Sequence, residues 1–240
     1  MNTLVVEELS DRVVVTLSRE KQRNAIDAEM ISELHQVCAL IEKDPKALLL
    51  TGQGDHFAGG ADINELRART RDDALRGINR NLFDRIAALP LPTVAAIRGY
   101  TLGGGAELSY ACDIRIASPT AVFGNPEPGL GIMAAAGASY RLPTLVGVSV
   151  AKQILLGGRT LDADTALRSG LVVDIVEDPL AAAHSLLDRV AKQAPLALKL
   201  TKKILDAPGS QPWADDIAQA VLFETEDKQR RMTAFLEKKR

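Results

Sequence analysis

Histidine and cysteine are scarce in this chain, three and two among 240 residues, and the scarcity removes whole classes of chemistry. Cys38 and Cys112 lie inside apolar-periodic segments, too few to build a disulfide framework or a cysteine metal centre. They read as reduced core thiols of a cytoplasmic protein. His35, His56 and His184 stand in unrelated contexts and no G-x-S-x-G is present, so neither a Ser-His-Asp hydrolase nor a metal site is expected. No apolar run reaches the length of a membrane span. The first residues carry Glu7, Glu8 and Asp11 in place of a basic stretch leading into an apolar one, so no leader is expected. Charge of one sign is lacking too. With 29 basic and 31 acidic residues the net charge is -2, which offers nucleic acid and anionic membranes no global attraction.

What remains is the composition of an ordinary globular protein, 46% apolar and 25% charged, forming one large domain or two small ones. Val13 to Leu17 reads as a strand, with Val5 and Val6 beginning a hairpin partner. Asp27 caps a helix whose apolar positions Met30, Leu34, Val37, Cys38 and Ile41 follow the helical period. Ala47 to Thr51 is a second buried strand. It runs through Gly59-Gly60 to Asp62 and Glu65, spaced as a capping box, and the arginine-rich region Asn64 to Leu89 continues as helix until Pro90 and Pro92. Strands are expected at Thr93 to Ile97, Asp113 to Ala117, Ala121 to Phe123 and Leu171 to Val176. Helices are expected at Tyr140 to Val146, Val150 to Leu156 and Thr160 to Ser169, the last closed by Gly170. From Pro179 the pattern is all helix, with breaks at Pro195 and around Pro208 to Pro212. A soft boundary near Ala194 separates a mixed α/β region, 1–194, from a helical region, 195–240, whose apolar residues suit packing on a neighbour; Trp213 is expected in a core or interface.

The stretch Gly99 to Asp113 stands out. Three glycines lead from an apolar strand into a short apolar segment that carries one carboxylate, Glu107. The first turn of a helix offers N–H groups without internal partners, and glycines let another group approach the main chain, so free donors stand beside an acid. Such a combination can hold a developing negative charge and move a proton. The run fits neither G-x-G-x-x-G nor a P-loop. Further on, Pro126 and Pro128 hold a second acid, Glu127, in a stiff turn.

Three segments in order, Phe57-Ala58-Gly59-Gly60-Ala61-Asp62-Ile63, Gly99 to Leu108 with Cys112-Asp113, and Phe123-Gly124-Asn125-Pro126-Glu127 with Gly129-Leu130-Gly131, give the chain its resemblance to the enoyl-CoA hydratase/isomerase (crotonase) family. Asn24-Ala25, Arg141-Leu142, Ala166 to Val172 and the closing Phe235 to Arg240 extend the resemblance over nearly the whole length. It implies an α/β crotonase-like ββα spiral core with a C-terminal helical region, assembled as a homotrimer or homohexamer. It implies that backbone N–H groups of Ala61 and Gly104 hold a thioester oxygen, that Glu107 helps water attack the β-carbon, and that Glu127 exchanges the proton at the α-carbon. Lys21 and Ala25, with Ala61, Asp62 and Ile63, are implied to face coenzyme A, and no cofactor beyond that moiety of the substrate is implied. One or two of the arginines between Arg67 and Arg85 are candidates for its phosphates; the rest read as a solvated face. Asp62 reads as a cap and Asp113 as a structural residue.

The presence of both acids favours an enoyl-CoA hydratase of fatty acid β-oxidation type. The alternatives are a Δ3-Δ2-enoyl-CoA isomerase using Glu127 alone and a non-catalytic CoA- or RNA-binding homologue. Two carboxylates need different environments to act as acid and base at one pH, and Glu127, between prolines and beside Leu130 and Ile132, is expected to have the higher pKa. Two departures from the family pattern stand out: Asn64 replaces a frequent lysine, and Met133 to Ser139 is rich in alanine where glycine is usual. The extra methyl groups narrow the acyl pocket, move the attacking water, or make a better helix, and the sequence leaves these three open.

Overall fold

The computed structural model describes residues 1–207, 209 and 212–237. The chain divides into two compact units, Met1–Leu187 and Asp188–Arg240. The first carries both sheets. β1 (Leu4–Glu8) pairs antiparallel with β2 (Arg12–Leu17), and β2, β3 (Ala47–Gly52), β4 (Thr93–Ile97), β6 (Ile114–Ala117) and β9 (Asp174–Ile175) run parallel in the order β1-β2-β3-β4-β6-β9. The inner strands are apolar on both faces, as the runs Val13-Val14-Val15 and Leu48-Leu49-Leu50 require of a parallel sheet covered on both sides. α1 (Ala28–Lys43) begins at Asp27, whose carboxylate accepts the Met30 N–H at 2.8 Å, and buries the expected stripe Met30, Leu34, Val37, Cys38 and Ile41.

A second sheet has the order β5-β7-β8, from β5 (Tyr100–Leu102), β7 (Val122–Gly124) and β8 (Leu161–Asp162). Neither β5 nor β8 follows from hydrophobic periodicity, because strands of two or three residues have no period to read.

The region Asn64 to Leu89 is not one helix. It forms α2 (Ile63–Ala68), α3 (Arg71–Arg76) and α4 (Ile78–Ala87). Thr70 starts α3 with a complete capping box to Asp73, and Gly77, at φ 62°, ends it in the left-handed conformation. Local side-chain bonds and one glycine therefore outcompete helix continuity. The capping box expected at Asp62 is half made: Asp62 accepts from the Asn64 N–H at 3.1 Å, but the Glu65 carboxylate accepts from the Ala28 N–H at 2.9 Å.

α5 (Gly104–Tyr110) follows β5 directly. α6 (Ala138–Leu155) covers the two helices expected there and leaves helical geometry at Gly147. α7 (Ala163–Arg168) closes through Gly170, and the Leu171 N–H donates to Ala166 O at 2.9 Å. That closing turn uses up the start of the strand expected at Leu171 to Val176, leaving the two residues of β9. α8 (Pro179–Val190) ends the first unit and begins the second, where α9 (Pro195–Leu205), α10 (Pro212–Phe223) and α11 (Glu226–Glu237) follow. Trp213, Phe223 and Phe235 are exposed there. Pro208, Ser210 and Gln211, within the expected break, and the closing Lys238 to Arg240 lie outside the described residues. Among the described residues no helix is long and apolar enough to cross a membrane.

Candidate active site

Two short bridges bring the glycine loops together. Ile26 bridges Ala61 and Ala58 bridges Thr101, the second through Ala58 N–H to Tyr100 O at 3.1 Å and Leu102 N–H to Ala58 O at 3.0 Å. α5 packs tightly on the same loop: a Cβ on Gly105 would come within 2.4 Å of Ala58 O, so only glycine fits. In the Ile26 bridge the bonds run from the Ile26 N–H to Gly60 O and from the Asp62 N–H to Ile26 O. The pleat then turns the Ala61 N–H to the other side, where Gly104 lies; a Cβ built on Gly104 would be 3.4 Å from Ala61 N. Gly104 is the first residue of α5, and its N–H has no acceptor within the helix. Both expected donors thus lie side by side. Ala61 does so for a reason the sequence reading missed: it precedes the cap of α2, and bridge register frees its N–H.

Glu107 and Glu127 face the same cavity, of about 490 Å³, as Ala61 and Gly104. Glu107 is 3% exposed on α5, and its Oε1 accepts the N–H groups of Ala136 at 2.7 Å and Ala138 at 3.1 Å. Arg115, also buried, donates to the carbonyls of Ser109, Cys112 and Leu171 and so ties down the C-terminal end of that helix. Burial pushes the Glu107 pKa up to about 7; the Ala138 N–H opposes this, and the charge of Glu127 adds to it.

Glu127 opens a 3-10 turn, Glu127–Leu130, with Oε1 over Gly103, where a Cβ would meet it at 3.1 Å. Among the described residues its buried Oε2 has no hydrogen-bond partner. Burial raises its pKa, while its own backbone N–H and the nearby Asn125 amide draw it down. Asn125 Oδ1 accepts from the buried Tyr110 hydroxyl at 3.1 Å, and its Nδ2 makes no hydrogen bond among the described residues. Burial thus displaces both acids upward, and Glu107 is the more deeply enclosed of the two.

Met133 to Ser139 resolves one of its three readings. Residues 133–137 are not helical and α6 begins only at Ala138, so the alanines do not make a better helix. Ala135 and Ala136 line the cavity, and the Ala136 and Ala138 N–H groups hold Glu107.

α2, α3 and α4 form another part of the cavity wall, with Leu66, Ala74 and Ile78 beside Arg69, Arg71 and Arg80. The solvated-face reading holds for Arg71 and Arg80, which are exposed at the rim, while Arg69 is half-buried. Arg85 instead pairs with Glu42 at 2.7 Å and Arg76 with Asp73 at 3.4 Å. Asn79, unremarkable in sequence, is buried; its Oδ1 accepts from Arg69 at 2.8 Å and its Nδ2 lies 3.9 Å from a Cβ built on Gly104. Lys21, Ala25, Asp62 and Ile63 do not line this cavity. Lys21 is exposed in a 3-10 turn, Ile63 is exposed at the start of α2, Ala25 O accepts from Arg19 at 2.6 Å, and Asp62 pairs with Arg19 at 3.2 Å. Asp113 accepts the Thr93 N–H at 2.7 Å, a structural contact.

Two converging N–H donors and two buried acids suit a reaction that develops negative charge on a carbonyl oxygen while protons move nearby. A family model described as enoyl-CoA hydratase/isomerase matches residues 10–240. The chain belongs to the enoyl-CoA hydratase/isomerase family. Within it, the short-chain-enoyl-CoA hydratase of Clostridium acetobutylicum is 38% identical over 256 aligned residues, covering 100% of this chain and 97% of that protein. Among solved structures, DspI of Pseudomonas aeruginosa is 32% identical with a TM-score of 0.94, covering 99% of this chain and 95% of that one. The enoyl-CoA hydratase of Bacillus anthracis is 30% identical with a TM-score of 0.93, covering 98% and 96%. The crotonase-like fold expected from the family resemblance is thus the fold observed.

Proposed function

We propose that this enzyme is an enoyl-CoA hydratase that adds water reversibly and syn across a trans-2-enoyl-CoA to give the 3-hydroxyacyl-CoA. The observation that carries the reading is the convergence of the Ala61 and Gly104 N–H donors with both Glu107 and Glu127 on one cavity. An isomerase needs one proton carrier; a second acid, held by two N–H groups, supports a hydratase. The hydratase name of the Clostridium relative supports it too.

In this reading the thioester oxygen accepts both N–H groups, which stabilise the enolate as it forms. Glu107, with Oε1 fixed, uses Oε2 to take a proton from water while the water oxygen bonds to C3. Glu127 then delivers a proton to C2, and proton exchange between the acids or with solvent restores the starting state. With burial raising both pKa values, the pair can share one proton near neutral pH, Glu127 carrying it for delivery while Glu107 is ionised to act as base.

Coenzyme A lies along Lys21, Ala25, Ala61, Asp62 and Ile63. The chain self-associates as a trimer or a pair of trimers, a reading supported by exposed Ile217, Val221, Phe223, Phe235 and Leu236 on the last two helices. Work in the cytoplasm on β-oxidation thioesters suits two buried thiols, of which burial pushes Cys38 up to about 12. Purified protein offered 2-enoyl- and 3-enoyl-CoA in parallel should consume the 2-enoyl thioester with water uptake. Consumption of the 3-enoyl thioester alone would establish the isomerase instead.

A further inference from the structure

The reacting groups occupy only part of the cavity. Its remaining lining is apolar in Leu66, Ala74, Ile78, Ile132 and Met133, and cationic in Arg69, Arg71 and Arg80. Arg69 is half-buried, its Nη1 donates to the neutral Asn79 Oδ1, and it forms no ion pair among the described residues. Among the described residues Arg80 hydrogen-bonds only Asn81 Oδ1, at 3.4 Å, and Arg71 pairs with Asp72 at the exposed rim. Asp73, the carboxylate of this segment that also lines the cavity, is already taken by the Thr70 N–H and hydroxyl and by Arg76. This wall therefore has an excess of positive charge, and a partly desolvated guanidinium is an expensive thing to leave without an anion.

Of the residues expected along coenzyme A, Lys21, Ala25, Asp62 and Ile63 are absent from this lining and Ala61 enters it as the donor to the thioester oxygen, so on the hydratase reading, which this inference rests on, the cavity is the acyl side of the site. We infer that Arg69, supported by Arg71 and Arg80, receives a carboxylate at the far end of the acyl chain, making 2-enoyl-CoA thioesters of dicarboxylic acids the preferred substrates. Apolar lining together with a cation in one cavity matches methylenes ending in a carboxylate. A guanidinium binds that group through two parallel N–H···O bonds, which lysine does not reproduce.

The test is the ratio of kcat/KM for glutaconyl-CoA and 2,3-didehydroadipyl-CoA to that for crotonyl-CoA and hex-2-enoyl-CoA, in wild type, Arg69→Gln and Arg69→Lys. Both substrates of a ratio are measured on one preparation, so partial misfolding of a variant cancels. Wild type should favour the carboxylated thioesters, Arg69→Gln should lower the ratio about tenfold or more, and Arg69→Lys should retain part of it. A wild-type preference for the neutral thioesters overturns the inference. So does an equal loss on all four in Arg69→Gln, which would place Arg69 on the phosphates of coenzyme A or in the fold. Crotonyl-CoA hydration without the preference defeats this inference alone, whereas a wild-type protein that hydrates none of the four defeats the hydratase reading as well.

Discussion

Glu107 and Glu127 line one cavity but are held in opposite ways. Glu107 projects from a helix pinned by Arg115 and has one oxygen fixed by two backbone N–H groups. Glu127 sits in a short turn, steadied by two prolines, and among the described residues its buried Oε2 and the Nδ2 of the nearby Asn125 have no hydrogen-bond partner. An acid held at one oxygen presents the other at a fixed place, which suits aiming a water molecule. An acid with an unspent oxygen can take and return a proton with little rearrangement. The division of labour thus rests on how each is anchored, since burial raises both pKa values.

Exchanging each acid for its amide gives the largest contrast. Glu107→Gln and Glu127→Gln should each lower hydration of crotonyl-CoA by roughly 10²–10⁴-fold with folding retained. The two should part in D₂O: Glu107→Gln keeps exchange of the α-proton of a saturated acyl-CoA, and Glu127→Gln loses it. Equal exchange rates in the two variants would erase the distinction.

Stability against pH gives the next largest effect. The Glu107 pKa rises from 4.5 to about 7, so between those values the folded state binds more protons than the unfolded state. The contribution of Glu107 to stability therefore falls as pH rises through that window and is flat above it. Removing this one dependence should leave Glu107→Gln more stable than wild type at pH 8 by up to about 3 kcal/mol, with the gap closing near pH 4.5. Urea unfolding at several pH values measures it; a constant gap would mean that Glu107 is not displaced.

The smallest effect concerns Tyr110, which holds Asn125 Oδ1 and thereby turns the amide N–H groups toward Glu127. Tyr110→Phe should cost about 1 kcal/mol of stability. By freeing that amide it should also move the Glu127 titration upward, followed by carboxyl carbon NMR. A downward or absent shift would detach Tyr110 from the proton carrier.

Much of this was legible in the sequence. The parallel strands announced themselves as apolar runs, Asp27 as a cap, and the two glycine loops as places where N–H groups are free. Pairing of Ala61 with Gly104 was not legible from composition, because it depends on one-residue bridges at Ile26 and Ala58. Those carry no periodic signal, and only the family resemblance supplied the pair. The contiguous arginine-rich helix failed for a local reason, the Thr70 box and Gly77, and with it went the view that Arg69 faces solvent. Asn79, Tyr110 and Asn125 were missed because single polar residues in apolar surroundings look alike until their partners are known. Flanking prolines suggested enclosure of Glu127 alone; the enclosure of Glu107 carries no local signal because it comes from the distant segment Ala134 to Ala138 folding over it.

The most direct measurement is turnover of crotonyl-CoA by wild type, Glu107→Gln and Glu127→Gln side by side, with thioester binding measured on the same samples. Hydration by wild type, with both variants binding the thioester but turning it over at least about a hundredfold more slowly, is the predicted result. Full hydration by either variant would contradict the two-acid account.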